Sequence, residues 1–352
     1  MRGQRMKAAR LHQAGTPLKI EEMEVPEPGL GEALIEIRAC GICATDVHTA
    51  LDGTVPTAYT PITLGHEPSG VVAELGDGVA DWRQGDRVAI YPQVTCGECR
   101  QCREGRDGIC TNARVLGMHR EGAFAEYLLV PARNLVRIPE GISFHQAAIM
   151  ADAVATPFHA VTKRGQVKPG ETVAVFGCGG LGMNAIQICK LAGAARIIAV
   201  DVSDFALERA TKVGADAGVS ARSEKAYKEV ISANGGHGVD VAFEFVGVNA
   251  AIDQAVRSLR RGGRAVIVGI GPERINIFPP FSFVYNDLSL IGSFGSDIAD
   301  LERLMDIAAA GKLDLDESIS WVIPLEQVNQ GISDLEKKVG NPVRILVSME
   351  RS

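Results

Sequence analysis

The sequence has few aromatic residues, no long apolar run and no excess of positive charge. Aromatic residues make up only 5% of its 352 residues, so we expect an aliphatic core. No stretch approaches the roughly 20 consecutive apolar residues that a membrane-spanning helix needs, and the charged segment over residues 1–10 predicts no secretory signal. The 36 basic and 43 acidic residues give a formal net charge of −7, which disfavours nucleic acid and membrane surfaces as partners. These absences predict a soluble, cytoplasmic protein.

The length predicts about two domains at ~150 residues each, and the apolar pattern changes along the chain. From Lys7 to Tyr127, short apolar stretches are broken by glycine and proline, which predicts an irregular, mostly antiparallel β domain. From Thr172 onward, strand-like and helical segments alternate, which predicts βαβ units around a parallel sheet. We therefore expect an α/β protein whose domains divide near residue 156. A second break near residue 290 would let residues 291–352 join residues 1–155 in one domain and leave residues 156–290 as the other.

Four of the eight cysteines lie close together in the sequence. A short segment holds Cys96, Cys99, Cys102 and Cys110 with spacings of two, two and seven residues. Four thiolates at such spacings complete the tetrahedral shell of a structural zinc ion. An iron–sulfur cluster also takes four cysteines and stays open as an alternative, as does a set of four unrelated thiols. We expect no disulfides, because a chain without an export signal folds in a reducing compartment.

A glycine-rich motif indicates a dinucleotide site. The GxGxxG pattern over residues 177–182 follows a predicted strand and opens a predicted helix, and Asp201 ends the next strand. The glycines would let the backbone approach a pyrophosphate at the helix N-terminus, where free N–H groups favour anions. An ordinary βα turn is the alternative. The carboxylate of Asp201 would accept hydrogen bonds from ribose hydroxyls and repel a 2′-phosphate, so we expect NAD rather than NADP.

Cys43 and His66 are both good zinc ligands, but a lone pair 23 residues apart is a weak signal. The surrounding motif is more specific, because Gly65-His66-Glu67-x2-Gly70-x5-Gly76-x2-Val79 resembles the zinc alcohol dehydrogenase signature. The cysteine lobe and the dinucleotide motif follow in the same order as in that family. The chain therefore resembles the zinc-dependent, medium-chain alcohol dehydrogenases over essentially its whole length.

The resemblance implies roles for individual residues. A GroES-like catalytic domain and a Rossmann domain are implied, with two zinc ions per chain, one catalytic and one structural. Cys43 and His66 correspond to catalytic zinc ligands, Glu67 to an acidic residue beside the metal, and Asp46 to the partner of a ligand. Thr45 and His48 correspond to a proton relay through the cofactor ribose, although a surface-loop role for His48 stays open. The implied cofactor-binding residues are Thr156, Gly177, Gly179, Gly180, Leu181, Gly182, Asp201, Val246, Val268, Gly269, Ile270 and Arg344, the last as a pyrophosphate ligand.

The sequence departs from the family pattern at two positions. The third catalytic ligand is often cysteine, whereas the matching residue here is Asp152. A carboxylate oxygen is an acceptable zinc donor, so Asp152 is predicted as a ligand. A helix-capping role for Asp152 stays open, as does Glu67 as the ligand in its place. Ala44 replaces a phosphate-binding basic residue of some relatives.

The activity implied is hydride transfer between NAD and an alcohol, with zinc holding the alcohol as alkoxide. A secondary, cyclic or polyol substrate is expected, with the matching ketone or aldehyde, and a homotetramer is favoured over a dimer by analogy. Two alternatives remain. One is a zinc-free quinone or enoyl reductase of the same superfamily, which would lack Cys43 and His66 together. The other is a non-enzymatic NAD-binding protein, which would not need the metal ligands.

Overall fold

The computed structural model describes residues 3–349, so the two ends of the predicted first domain, residues 1–2 and 350–352, lie outside it. The described chain alternates strands with helices. The strands are β1 (Arg5–Leu11), β2 (Lys19–Glu24), β3 (Glu32–Ile42), β4 (Ile62–Thr63), β5 (Glu67–Leu75), β6 (Arg87–Ile90), β7 (Gln93–Val94), β8 (Arg114–Val115), β9 (Tyr127–Pro131), β10 (Leu135–Arg137), β11 (Thr172–Phe176), β12 (Arg196–Asp201), β13 (Ala217–Ser220), β14 (Val239–Glu244), β15 (Leu259–Ile267), β16 (Ser289–Gly292), β17 (Trp321–Pro324) and β18 (Ile345–Ser348). The α-helices are α1 (Ala44–Leu51), α2 (Arg100–Arg103), α3 (Phe144–Ile149), α4 (Ala155–His159), α5 (Gly180–Leu191), α6 (Asp204–Val213), α7 (Ala226–Ala233), α8 (Asn249–Arg257), α9 (Pro280–Tyr285), α10 (Ile298–Ala309) and α11 (Val328–Glu336).

The chain divides into two units. The first runs to Ala155 and resumes over Asp297–Gly311 and from Leu315, and the second comprises Thr156–Ser296 with Lys312–Asp314. The boundary after Ser296 lies six residues beyond the one expected after residue 290. The assignment of catalytic and cofactor-binding roles to the two units stays a prediction.

The first unit is built around strand β3. Its main sheet has the order β10-β6-β5-β3-β18-β17, and β9 also pairs with β3. Because β3 has neighbours on both sides, most of its side chains are buried, among them Ile35 and Ile37. These pack with Leu64 and Phe124 in one aliphatic core. The irregular β domain expected from the sequence is confirmed here.

The second unit contains a six-stranded parallel sheet in the order β13-β12-β11-β14-β15-β16. Strand β11 is buried along most of its length, as expected for a strand covered by helices on both faces. The strand order reverses beside β11, so the carboxyl end of β11 is the topological switch point at which such sheets bind ligands. The doubly wound fold expected from the alternating pattern is confirmed.

The apolar spacing over residues 143–160 predicts a helix, but the helical segment found there is interrupted. Helix α3 is followed by a π-helical turn over Met150–Val154, then by α4 and a second π-helical turn over Ala160–Arg164. Such wide turns are rare in proteins and occur often at functional sites. Asp152 lies in the first of them. Within residues 3–349, no helix is both long and apolar enough to cross a membrane.

Candidate functional site

Strand register brings distant segments together at one end of β3. Gly41, near the end of this strand, pairs with Glu67 at the start of β5 on one side and with Leu346 of β18 on the other. Both neighbours run antiparallel to β3. The residues just outside the three strand ends, Cys43, His66 and Arg344, therefore lie at the same edge of the sheet.

Four side chains at this edge form a cluster of potential metal ligands. One donor atom from each of Cys43, His66, Glu67 and Asp152 lies within 4.8 Å of the other three. The Oδ2 atom of Asp152 is 3.6 Å from Cys43 Sγ and 3.8 Å from His66 Nε2. Sulfur, imidazole nitrogen and carboxylate oxygen are the donors that zinc takes in proteins. The structure thus brings together the three predicted catalytic ligands and Glu67.

Asp46 fixes the orientation of this cluster. Its Oδ2 accepts a hydrogen bond from the backbone N–H of Cys43 at 2.9 Å, and its Oδ1 accepts one from the N–H of Gly65 at 3.1 Å. The same Oδ1 lies 3.4 Å from His66 Nδ1, which leaves Nε2 facing Asp152. A carboxylate on the far nitrogen of a ligating histidine is a common means of fixing its tautomer and ring orientation.

The electrostatics of the cluster suit a cation. Burial would raise the pKa of the Cys43 thiol, but the positive charge of Arg344 and the contact with His66 outweigh burial and lower it. Burial would lower the pKa of His66, yet Asp46 and Asp152 raise it well above its ordinary value. Both pKa shifts favour the charged forms of these side chains, and a binding cation would displace the proton of His66.

Glu67 and Arg344 form a buried ion pair beside the cluster. Glu67 is fully buried and Arg344 is 3% exposed, and Arg344 Nη2 lies 3.2 Å from Glu67 Oε1. Among residues 3–349, neither carboxylate oxygen of Glu67 has a hydrogen-bond partner. Burial raises the pKa of Glu67 well above its ordinary value, although Arg344 opposes the shift. Two buried oxygens without hydrogen bonds, next to a thiolate and an imidazole, fit a site for a divalent metal ion.

The predicted relay residues lie on helix α1, which begins directly after Cys43. Thr45 Oγ1 is 3.7 Å from Cys43 Sγ. His48 is exposed, three residues further along the same helix face, and its Nδ1 is 3.2 Å from Asp52 Oδ2. Hydrogen bonds from Thr54 and His48 lower the pKa of Asp52 to about 2, which keeps a negative charge beside the imidazole.

The four cysteines of the loop between β7 and β8 also converge. Their sulfur atoms lie within 4.8 Å of one another, and all eight cysteines of the chain are free. Backbone N–H groups donate hydrogen bonds to these sulfurs. The N–H of Cys99 donates to Cys96 Sγ, and the N–H of Cys102 donates to Cys99 Sγ. Backbone N–H groups lower the pKa of Cys99 to about 6, whereas burial and the neighbouring thiols raise that of Cys102 to about 12. Four sulfur donors that converge at this spacing fit the tetrahedral shell of a zinc ion.

The glycine-rich turn lies between β11 and α5. Gly177 has a φ of 86°, a conformation that favours glycine, and a Cβ on Gly182 would overlap the Gly177 carbonyl. Apart from the neighbouring residues in the chain, no atom of the described residues lies within 4 Å of the position that a Cβ on Gly179 would take, so the backbone is open to a ligand there. Asp201 accepts hydrogen bonds from the N–H of Cys178 at 2.7 Å and of Ser203 at 2.9 Å, which hold its carboxylate beside the turn.

The remaining predicted cofactor residues occupy several positions. Four of them follow the carboxyl ends of β14 and β15, which is also the end of the sheet where the glycine-rich turn follows β11: Val246, Val268, Gly269 and Ile270. Val246 and Ile270 are exposed, at 47% and 67%. Thr156 is buried on α4. Arg344, expected as a pyrophosphate ligand, pairs with Glu67 and donates a hydrogen bond to the Ile42 carbonyl at 3.0 Å, so that role stays a prediction.

Comparison with known proteins identifies relatives of both units. The family profile described as "Alcohol dehydrogenase GroES-like domain" matches residues 29–140, and that described as "Zinc-binding dehydrogenase" matches residues 180–310. An alcohol dehydrogenase of Geobacillus stearothermophilus is 38% identical, covering 92% of this chain and 94% of that protein. A sorbitol dehydrogenase of Bacillus subtilis is 36% identical, and the match covers 83% of this chain and 82% of that protein. A solved structure described as a "putative zinc-binding dehydrogenase" from Sinorhizobium meliloti 1021, bound to NADP, superposes on this chain with a TM-score of 0.90. The two sequences are 34% identical, and the match covers 98% of this chain and 99% of that one.

Proposed function

We propose, because the chain belongs to the zinc-dependent medium-chain alcohol dehydrogenase family, that it transfers hydride between NAD and a secondary, cyclic or polyhydroxylated alcohol. Membership makes the chain an oxidoreductase acting on alcohols with a nicotinamide cofactor. The observation that carries the proposal is the convergence of Cys43, His66 and Asp152 donor atoms at one buried point. The sorbitol dehydrogenase among the relatives supports a polyol or secondary alcohol.

In this proposal, Cys43, His66 and Asp152 hold the catalytic zinc. Thiolate, neutral imidazole and carboxylate together carry two negative charges, which balance a divalent cation. A bound zinc ion supplies Lewis acidity, which makes a hydroxyl proton easier to remove at neutral pH. Asp46 keeps the His66 ring in place, and the burial of Cys43 and His66 limits access of competing water. The four-cysteine loop would hold a second, structural zinc ion.

Thr45 and His48 are proposed to carry the substrate proton outward. The hydroxyl of Thr45 can accept a proton and pass another on, and it lies close to Cys43. Histidine is a common general acid and base in proteins, and His48 lies at the exposed end of the same helix face. As the family resemblance implies, the cofactor ribose would connect the two.

Asp201 is proposed to select NAD over NADP, and replacing it tests this directly. Asp201→Gly removes the negative charge that would repel a 2′-phosphate, and like charges in contact cost several kcal/mol. We expect kcat/KM for NADP relative to NAD to rise by about tenfold or more. Glu208→Gln, which removes an exposed carboxylate one turn along α6, should leave the ratio unchanged. If Asp201→Gly left the ratio of kcat/KM for NADP to that for NAD unchanged, this role of Asp201 would be refuted. Both cofactors need to be measured, because the solved relative binds NADP.

Asp152 is proposed as the third zinc ligand, and a pair of variants tests it. Asp152→Asn removes the charge of the donor, so we expect the catalytic zinc to bind at least about 100-fold more weakly and turnover to fall accordingly. Asp152→Cys supplies the donor that the family often has and should keep the metal. Zinc content by elemental analysis and NADH formation are the two measurements. Equal zinc content in wild type and Asp152→Asn would instead favour Glu67 as the ligand.

The wider proposal includes a homotetramer in the cytoplasm. The cytoplasmic location rests on the sequence composition, and the tetramer rests on analogy within the family. Incubation of the purified protein with NAD and a panel of secondary, cyclic and polyhydroxylated alcohols tests the whole proposal. Absence of turnover both before and after zinc reconstitution would favour a zinc-free reductase or a binding protein.

A further inference from the structure

The cluster at the edge of the β3 sheet offers one donor too many for a catalytic zinc. Catalytic zinc sites hold three protein ligands and keep the fourth position for water or substrate, whereas four protein ligands close the site. Here Glu67 contributes a fourth donor within 4.8 Å of those of Cys43, His66 and Asp152. If Glu67 also bound the metal, no position would remain for an alcohol.

The backbone places Glu67 where it can reach either the metal ligands or Arg344. Gly41 is its register partner, and a Cβ on Gly41 would overlap Oε2 of Glu67. The missing side chain at Gly41 therefore makes room for this carboxylate. On the other side of β3, Arg344 precedes β18 and is fixed by a 3.0 Å hydrogen bond to the Ile42 carbonyl. The guanidinium meets the carboxylate at 3.2 Å.

Charge and burial pair Glu67 with Arg344. Three anionic side chains and a divalent cation sum to −1, and the guanidinium of Arg344 restores neutrality. A fully buried carboxylate needs a partner, since an unpaired buried charge costs several kcal/mol. Both oxygens of Glu67 lack hydrogen bonds, so Arg344 is the charged partner that holds this carboxylate among the described residues. Without Arg344, the nearest remaining cation would be the metal.

We propose that Arg344 is a positioning residue that holds Glu67 in an ion pair, so that Asp152 serves as the third ligand and the fourth coordination position stays open. This inference rests on the proposed function and deepens it. It also assigns Arg344 a task different from pyrophosphate binding. The choice between Asp152 and Glu67 as zinc ligand would then depend on Arg344, which lies 192 positions after Asp152 and 277 positions after Glu67 in the sequence.

The test compares Arg344→Gln, Glu67→Gln and the double variant with wild type. Each protein is loaded with cobalt(II) in the catalytic site, and its visible absorption is recorded with and without added imidazole, which binds only at an open coordination position. We expect imidazole to change the spectrum of wild type and of Glu67→Gln but not of Arg344→Gln. In Arg344→Gln, kcat should fall by about 10- to 100-fold, while a chelator should remove zinc about tenfold more slowly. The double variant should regain both the imidazole response and the wild-type rate of zinc release.

Other outcomes would overturn the proposal. A raised KM for NAD in Arg344→Gln, with an unchanged imidazole response, would assign Arg344 to the cofactor. A loss of metal from Arg344→Gln would also contradict the proposal. Circular dichroism checks that each variant is folded. If Arg344→Gln fails to fold, Arg344→Lys replaces it. We expect a weaker spectral response to imidazole in Arg344→Lys than in wild type, and an unchanged response would contradict the proposal. Failure of the proposed function would be visible separately, as wild type that binds no catalytic metal or does not oxidise alcohols.

Discussion

His66→Ala is expected to lower kcat/KM by about 10³- to 10⁴-fold, since Lewis acidity supplies several kcal/mol of transition-state stabilisation. The variant removes the imidazole donor and leaves Asp152 and Cys43 without their nitrogen partner. Zinc should fall from about two ions per chain to about one, because the four-cysteine site does not use this residue. Elemental analysis and NADH formation measure the two effects on the same sample.

The control for this variant is His237→Ala. This histidine is exposed in a loop of the second unit and lies outside the metal clusters of the described residues. We expect it to keep both zinc ions and full turnover. If His66→Ala kept the zinc content and turnover of wild type, the cluster at the edge of the β3 sheet would not be the catalytic centre.

The second large effect is expected from Cys99→Ser, which removes one of the four sulfurs of the loop between β7 and β8. Structural zinc sites contribute folding free energy directly. The rest of the first unit has its own aliphatic core, so we expect this loop to lose its structure while the sheet stays folded. The melting temperature should fall by about 10 °C, which at 2–4 °C per kcal/mol corresponds to about 3–5 kcal/mol.

Three measurements distinguish this outcome from a general packing defect. Limited proteolysis should cut Cys99→Ser within residues 96–110, and the variant should contain about one zinc ion per chain. Cys189→Ala, which removes a buried thiol from helix α5, should retain about two. At low temperature, the surviving Cys99→Ser protein should keep most of its turnover. A Cys99→Ser protein with unchanged zinc and melting temperature would show that these sulfurs hold no structural metal.

Features set by neighbouring residues were predictable from the sequence. The four cysteines lie within fifteen positions, and their sulfurs converge in a single loop. The turn between β11 and α5 needs glycine at Gly177 and Gly182 for local reasons, namely a positive φ and a close carbonyl. The predicted helix after this turn and the predicted strand that ends at Asp201 are therefore both present, as α5 and β12.

Features that depend on long-range pairing were not predictable in the same way. Arg344 meets Glu67 only because β5 and β18 pair with the same end of β3, and no local pattern encodes that register. The apolar spacing around Asp152 predicts a regular helix, whereas the packed chain adopts a π-helical turn there. A wide turn changes the direction of each following side chain, so helical periodicity alone could not place this carboxylate beside Cys43.

The measurement that tests the account most directly is a zinc titration of turnover. A chelator removes the catalytic metal, zinc is returned in steps, and NADH formation from a secondary alcohol is followed at each step. The account predicts that the metal-depleted protein is inactive and that the rate rises in proportion to zinc bound by Cys43, His66 and Asp152. Turnover that persists at the same rate in protein without this ion would contradict it.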